Sequence, residues 1–246
     1  MLIPVNQLIK YWEIYPKTIL HVGAHEAEER DDYLKFWDPK IYWIEAQPDK
    51  VEKVRKTTLG APDVVIQAAV WDISDLKLQL KITNNTQSTS LLDLGTHQKE
   101  HPEIEFSHSI EVKTARLDSI IPANFIPEFL ALDIQGVELR ALKGFGPRIK
   151  NVKWIYTEVN REYLYDSCCL VGDIDEYLKD FDFVRVATRW TRNNWGDALY
   201  IRSDISSQIS RLKKFQWKIA QTYYLLKLSA QQIKFLLRKH SFRNQR

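Results

Sequence analysis

The chain is short of cysteine, of long apolar runs and of closely spaced glycines, and each shortage closes off a class of protein. Only two cysteines occur in 246 residues, and they are neighbours, Cys168 and Cys169. Two adjacent thiols cannot staple a fold, and a bridge between them is strained, so the sequence reads as a reduced protein that relies on its own core. No apolar run approaches the roughly 20 residues that cross a bilayer. The opening "MLIPVNQLIKYWEIYPK" has no basic segment leading into an apolar one, so no secretory leader is expected and a cytoplasmic location is. Internal repeats and low-complexity segments are absent. What is present, 44% hydrophobic and 27% charged residues, is enough to build a folded core.

Acid is scarce at one end. Between Ser203 and Arg246 stand ten lysines and arginines against one acid, Asp204, a net of +9. The whole chain carries +3, so residues 1–202 carry −6. An acidic body with a basic tail excludes the usual charge signature of a nucleic-acid binder from the body.

Along the body, apolar runs and amphipathic segments alternate. "VNQLIKYW" predicts a short helix and "TILHV" (18–22) a buried strand. A helix follows over 26–36, then a strand over 40–46, a helix over 48–58 with Pro48 at its start, and a third strand over 63–70. This is the pattern of parallel βαβ units. After an alternating strand at 76–83, a polar loop and a short strand and helical turn within 109–121, the winding resumes. It gives a strand (128–134), a helix (137–145), a strand (152–159) and a helix (173–181). Residues 183–190 and 197–202 close it as an antiparallel pair.

In an open α/β sheet ligands sit at the carboxyl ends of the strands. The first strand runs into "GAHEAEER", where Gly23 leaves the backbone open to a ligand and Glu26, Glu28 and Glu29 crowd the expected helix start. A dinucleotide would need G-x-G-x-x-G so that its pyrophosphate reaches the helix N-terminus, and only the first glycine is here. The glutamates would repel phosphate and tolerate a cation. Glu45, ending the second strand 22 residues after Gly23, suits a ribose diol. A nucleoside with a positive end, S-adenosylmethionine, answers both features better than a nicotinamide dinucleotide does.

Taken together, "VGAHE", "IEAQP", "AAVWD", "LDIQGVELRALKG" and "YTEVN" at the strand ends resemble the motifs of the FkbM family of methyltransferases, over about residues 17–202. Asp133, Gly136, Glu138 and Glu45 match the family pattern. Gln135 stands where the family usually has Glu, His25 replaces Asn, Ala27 replaces a second Gly, and one extra residue precedes Pro48. The resemblance implies a class I (Rossmann-like) methyltransferase fold: a mostly parallel sheet with helices on both faces and a C-terminal antiparallel hairpin. It implies S-adenosylmethionine as cofactor, held by Gly23, Ala24, His25, Glu26, Glu45, Ala46, Ala69 and Asp72. It also implies O-methylation of a hydroxyl on a small-molecule or glycan acceptor, a saccharide first. Asp133 is the expected base, with Glu158 beside it. The alternative is a non-catalytic module of the same fold that binds a nucleoside or a partner.

Three further features compete for a role. His97, His101 and His108 lie among glutamates in "HQKEHPEIEFSH", but Pro102 ends any helix there and no third ligand is well spaced, so no metal is expected. "TRWTRNNWGD" offers Trp190 and Trp195 for stacking on an acceptor and Arg189 and Arg192 for an acidic group. The domain division is a body, 1–202, and a basic amphipathic helical extension, 203–246. The apolar stripe of that extension runs Ile209, Leu212, Phe215, Ile219, Tyr223, Leu226, Ala230, Ile233 and Leu237. Two uses stay open for it: packing on the body or a second subunit, and peripheral contact with an anionic membrane.

Overall fold

Strands covered on both faces carry apolar residues in unbroken runs. The computed structural model, which describes residues 1–96 and 103–243, bears this out in its central sheet. Its strands are β1 (Thr18–Val22), β2 (Lys40–Glu45), β3 (Val64–Gln67), β4 (Ala69–Val70), β5 (Lys77–Thr83), β6 (Phe106–Ala115), β7 (Phe129–Leu132), β8 (Trp154–Asn160), β9 (Phe183–Trp190) and β10 (Trp195–Arg202). Its helices are α1 (Val5–Trp12), α2 (Arg30–Phe36), α3 (Pro48–Thr57), α4 (Leu117–Ile120), α5 (Glu138–Phe145), α6 (Val171–Lys179), α7 (Ser203–Gln208) and α8 (Arg211–Arg243). Seven strands form one sheet in the order β3-β2-β1-β7-β8-β10-β9. The first five pair in parallel, and β10 pairs antiparallel with both β8 and β9. This is the class I methyltransferase arrangement implied by the sequence motifs, closing hairpin included.

Alternate residues of each strand feed opposite faces. Ile19, Ile41, Trp43, Phe129 and Tyr156 pack with α1, α2 and the start of α8. Leu20, Ile44, Leu130, Leu132 and Ile155 pack with α4, α5 and α6. Each such aliphatic side chain, fully buried, contributes about 1.5–3 kcal/mol. Two buried indoles find partners: Trp43 donates to Asp63 at 2.9 Å and Trp37 to the carbonyl of Ile14 at 2.9 Å.

Two expectations need correction. The helix expected over 26–36 begins only at Arg30, because His25 (φ 44°) and Ala27 (φ 60°) are left-handed and cannot start it. The strand expected over 63–70 is two strands. It leaves the main sheet at Ala68, and β4 pairs instead with β6 in a second sheet of order β4-β6-β5. The tail breaks into α7 and α8 at an extended Ile209, and α8 docks by a different face from its apolar stripe. Trp217 is buried between Tyr11 and Trp12, with ring centroids 5.7 and 6.0 Å away, while Leu212, Phe215, Ile219, Tyr223 and Leu226 are exposed.

Candidate active site

Strand order reverses between β1 and β7. From β1 the chain winds outward through β2 and β3; from β7 it winds the other way through β8. Such a switch opens a crevice at the strand ends. Here the two strand ends are tied together. The Asp133 N–H donates to the Val22 carbonyl at 3.0 Å, and the Gly23 and Ala24 N–H groups donate to the Ile44 carbonyl at 2.9 and 3.0 Å. Gly23 takes φ +88°, and a Cβ on it would lie 1.8 Å from the Asp133 carbonyl oxygen, so only glycine fits. Above this contact is a cavity of about 820 Å³. Its roof comes from the second sheet and the loop after β5: Leu80, Asn84, Asn85, Gln87, Ser88, Ser90 and Ile104.

Of the residues expected to hold a cofactor, Gly23, His25, Glu45, Ala46 and Ala69 line this cavity, as do Asp133 and Glu158. Ala24, Glu26 and Asp72 do not. Ala24 is buried in the core. The Glu26 carboxylate turns away to accept from Lys50 and Lys53 on α3, both at 2.6 Å, and those bonds hold its carboxyl down at about 2. Asp72 accepts from Arg140 on α5 at 2.9 Å, beside the close approach of Trp71 to Gly144. Of the aromatic hairpin, Trp195 reaches the cavity. Trp190 instead stacks under the Arg161 guanidinium, whose carbon is 4.0 Å from the ring centre. Arg189 and Arg192 serve the scaffold: Arg189 donates to the Leu2 carbonyl and to Gln7, and Arg192 to the Leu228 carbonyl. His97 and His101 lie outside the described residues, and His108 is exposed on β6. Among the described residues no group of histidines, cysteines and acids is arranged to hold a metal ion.

Glu45 is buried and organises two loops. One oxygen accepts the His25 N–H at 2.7 Å; the other accepts the Ala46 and Gln47 N–H groups at 2.8 Å each. Burial still pushes its carboxyl up, against those three bonds. The oxygen facing His25 keeps an acceptor position for a ligand.

On the floor, carboxylates converge that are distant in sequence. Asp133 is open to the cavity but lies deep in it; the surrounding protein, and then the charge of Asp197, push its carboxyl up to about 6. Glu158 is buried and its carboxyl is raised well above the usual range, by desolvation first and Asp133 second. Between them sits Gln135, in a left-handed conformation (φ 54°), whose amide nitrogen donates to Asp133 at 2.7 Å and to Glu158 at 3.0 Å. Its amide oxygen accepts the Tyr165 hydroxyl at 2.6 Å. Asp197 accepts the Leu2 N–H at 2.5 Å and the Tyr156 hydroxyl. Gln135, Tyr165 and Asp197 were not identified as site residues from sequence. The signal available for Gln135 was its departure from the family's acid, which the structure explains: an amide donates to both neighbours where a third carboxylate could only repel them. Gln135→Glu should therefore move the acid limb of a pH–rate profile upward by about one unit or more, because an added like charge raises both partners. An unmoved limb would separate Gln135 from the titrating pair.

Seven acids stand on the cavity wall, Glu28, Glu29, Glu45, Glu103, Asp133, Glu158 and Asp197; the described lining contains no lysine or arginine, and the Met1 ammonium lies 3.3 Å from Glu29. The chain is similar to a 2-O-methyltransferase, NoeI, of Sinorhizobium fredii, with 22% identity over 206 residues, 79% of this chain and 83% of that one. Solved structures that it resembles include an S-adenosylmethionine-dependent methyltransferase of Clostridium acetobutylicum (6% identity, 80% of this chain and 88% of that chain, TM-score 0.46). Another is 1,6-didemethyltoxoflavin-N1-methyltransferase of Burkholderia thailandensis (8% identity, 82% and 79%, TM-score 0.47), solved with its substrate and S-adenosylhomocysteine. The sequence model described as the methyltransferase FkbM domain matches residues 21–185, well over half of the chain, and so places this protein in the FkbM methyltransferase family.

Proposed function

We propose that this protein transfers a methyl group from S-adenosylmethionine to a hydroxyl of a saccharide, glycan or hydroxylated secondary metabolite. The observation that carries the reading is the cavity itself: about 820 Å³ at the strand-order switch, with seven carboxylate residues in its described lining against one fixed cation, the Met1 ammonium on Glu29. A low-dielectric site with an excess of acid favours the opposite charge in its ligand. That fits a sulfonium and an ammonium, and it opposes a pyrophosphate.

The residues present fit such a cofactor. Gly23 lines the cavity where the strand ends meet, Glu45 offers an acceptor to a ribose, and Ile44, Ala68, Ala69 and Val70 give an apolar slot for a base. When bound, the cofactor supplies a methyl carbon already activated by its sulfonium. The chain's own task is positioning and proton management. Asp133, raised to about 6, is ionised at neutral pH and accepts the hydroxyl proton of the acceptor, beside Glu158, whose carboxyl is pushed up by burial and by Asp133. Gln135 holds the two carboxylates in register. Trp195, Asn84, Asn85 and Gln87 offer one aromatic face and three amides to a polyol.

Glu45→Ala should weaken S-adenosylmethionine binding at least about tenfold in calorimetry, since a hydrogen bond to a charged group contributes about 1.5–3 kcal/mol. Glu45→Gln, which keeps a carbonyl for the loop N–H groups, separates loop collapse from lost ribose contact. Unchanged affinity in both variants would remove Glu45 from the ligand. The function is tested by mass spectrometry of saccharide and metabolite pools incubated with the enzyme and S-adenosylmethionine, looking for a methyl mass shift. Tight binding without turnover on any acceptor would favour the non-catalytic module.

A further inference from the structure

We propose that the outward face of α8 docks on an anionic lipid bilayer. The helix is fixed to the body by its inner face. Trp217 sits against Tyr11 and Trp12, the Arg189 guanidinium lies over Trp217 and Tyr224 at 5.3 and 4.4 Å, and Gln221 and Tyr224 donate to the carbonyls of Thr188 and Trp190 at 3.0 and 3.3 Å. With that face used, the stripe of Leu212, Phe215, Ile219, Tyr223 and Leu226, three or four residues apart, points into solvent at 56–71% exposure. Five large apolar side chains in one row are unusual on a water-facing surface.

Charge chooses the occupant. Arg211 and Lys218, seven residues apart, follow one edge of the stripe and Lys227 the other, all exposed. No Asp or Glu occurs after Asp204. A second copy presenting the same face would set lysine against lysine. A nucleic acid would satisfy the lysines and leave Phe215 and Ile219 in water. An anionic bilayer satisfies both, taking the apolar row into its acyl boundary and the basic edges into its headgroups. No helix of the described residues is long and apolar enough to cross a membrane, so the contact is peripheral.

The geometry also sets the orientation. Successive contacts of α8 climb β9 from Thr188 to Trp190 and on to Arg192, toward the hairpin whose Trp195 lines the cavity. Docking therefore brings the cavity's hairpin side toward the lipid surface. The docking stands independently of the methyl-transfer chemistry.

The test is co-sedimentation of the full chain with vesicles of phosphatidylglycerol and phosphatidylcholine, and with phosphatidylcholine alone. Binding to the anionic vesicles should fall at least about tenfold on neutral vesicles and between about 50 and 500 mM salt, where screening removes the charge term. The double variant Phe215→Asp, Ile219→Asp should lose binding while keeping its thermal midpoint and its affinity for S-adenosylmethionine, since both side chains are exposed and neither lines the cavity. The double variant Lys218→Glu, Lys227→Glu should lose the salt-sensitive part. Failure of the full chain to pellet with anionic vesicles at low salt would overturn the proposal, as would undiminished binding by the Phe215, Ile219 variant. A concentration-dependent dimer in sedimentation velocity, abolished by that variant and with no lipid binding, would give the face to a second copy instead.

Discussion

Asp133→Asn should leave the fold intact and lower turnover by about a hundredfold or more, the usual loss when a general base is removed. The substitution keeps an oxygen for the 2.7 Å bond from Gln135, so the floor of the cavity keeps its shape. What is lost is a group able to take a proton at neutral pH. S-adenosylmethionine affinity, measured by calorimetry, should change far less than kcat. The pH dependence has a definite sign. With its carboxyl raised to about 6, Asp133 is protonated and inactive as a base below that value, so the parent's rate should climb through pH 6. The same shift acts on stability. In the unfolded chain the group ionises near its ordinary value, whereas in the native state ionisation is resisted until about pH 6. Its contribution is present in acid and lost as pH rises through 6. The Asn variant should therefore be no less stable than the parent at pH 5 and more stable at pH 8. Near-normal turnover with an unchanged pH limb would mean that the proton leaves by another route.

Gly23→Ala should have the largest effect on the protein as a whole. The new methyl would meet the Asp133 carbonyl oxygen at 1.8 Å, in backbone that cannot move without breaking the bonds joining β1 to β2 and β7. The left-handed φ adds about 1–2 kcal/mol for any L-residue, and with the clash the loss should reach about 3 kcal/mol or more in urea unfolding. Gly60→Ala is the internal control. Gly60 is also left-handed, at φ +79°, but no atom lies within 4 Å of its would-be Cβ, so only the backbone cost of about 1–2 kcal/mol should appear. Equal losses at the two positions would show that the contact between the strand ends is not tight.

The family's motifs and the central sheet were legible in the chain because each rests on local signals. Unbroken apolar runs such as "TILHV" and "EFLALDI" can be satisfied only between two layers, and an acid or glycine immediately after such a run sits at a strand end wherever the strand goes. Gly23 and Glu45 were therefore found by position and Asp133 through the family resemblance, and all three line the cavity. Ala24, Glu26 and Asp72, expected there from the resemblance, do not line it, because direction is set by partners. Lys50 and Lys53 turn Glu26 outward, and Arg140 engages Asp72. The split at Ala68 was hidden because a run of small and branched residues looks the same whether it stays in one sheet or crosses to another.

The sequence by itself determined the layered α/β body, the glycine-and-acid signature of its strand ends and the opposite charges of body and tail, since these follow from residue type and short-range order. Tertiary structure alone decided which side chains share a space. Gln135, Glu158, Tyr165 and Asp197 become neighbours only when β7, β8, β10 and the segment after β8 are brought together, and the raised proton affinities of Glu158, Tyr165 and Asp197 arise from burial there rather than from anything in their local sequence. The tail shows the same division. Periodicity announces that α8 has an apolar stripe, but which face meets the body depends on where Tyr11, Trp12 and Arg189 happen to lie. They capture Trp217 and Tyr224, so the stripe is left facing solvent.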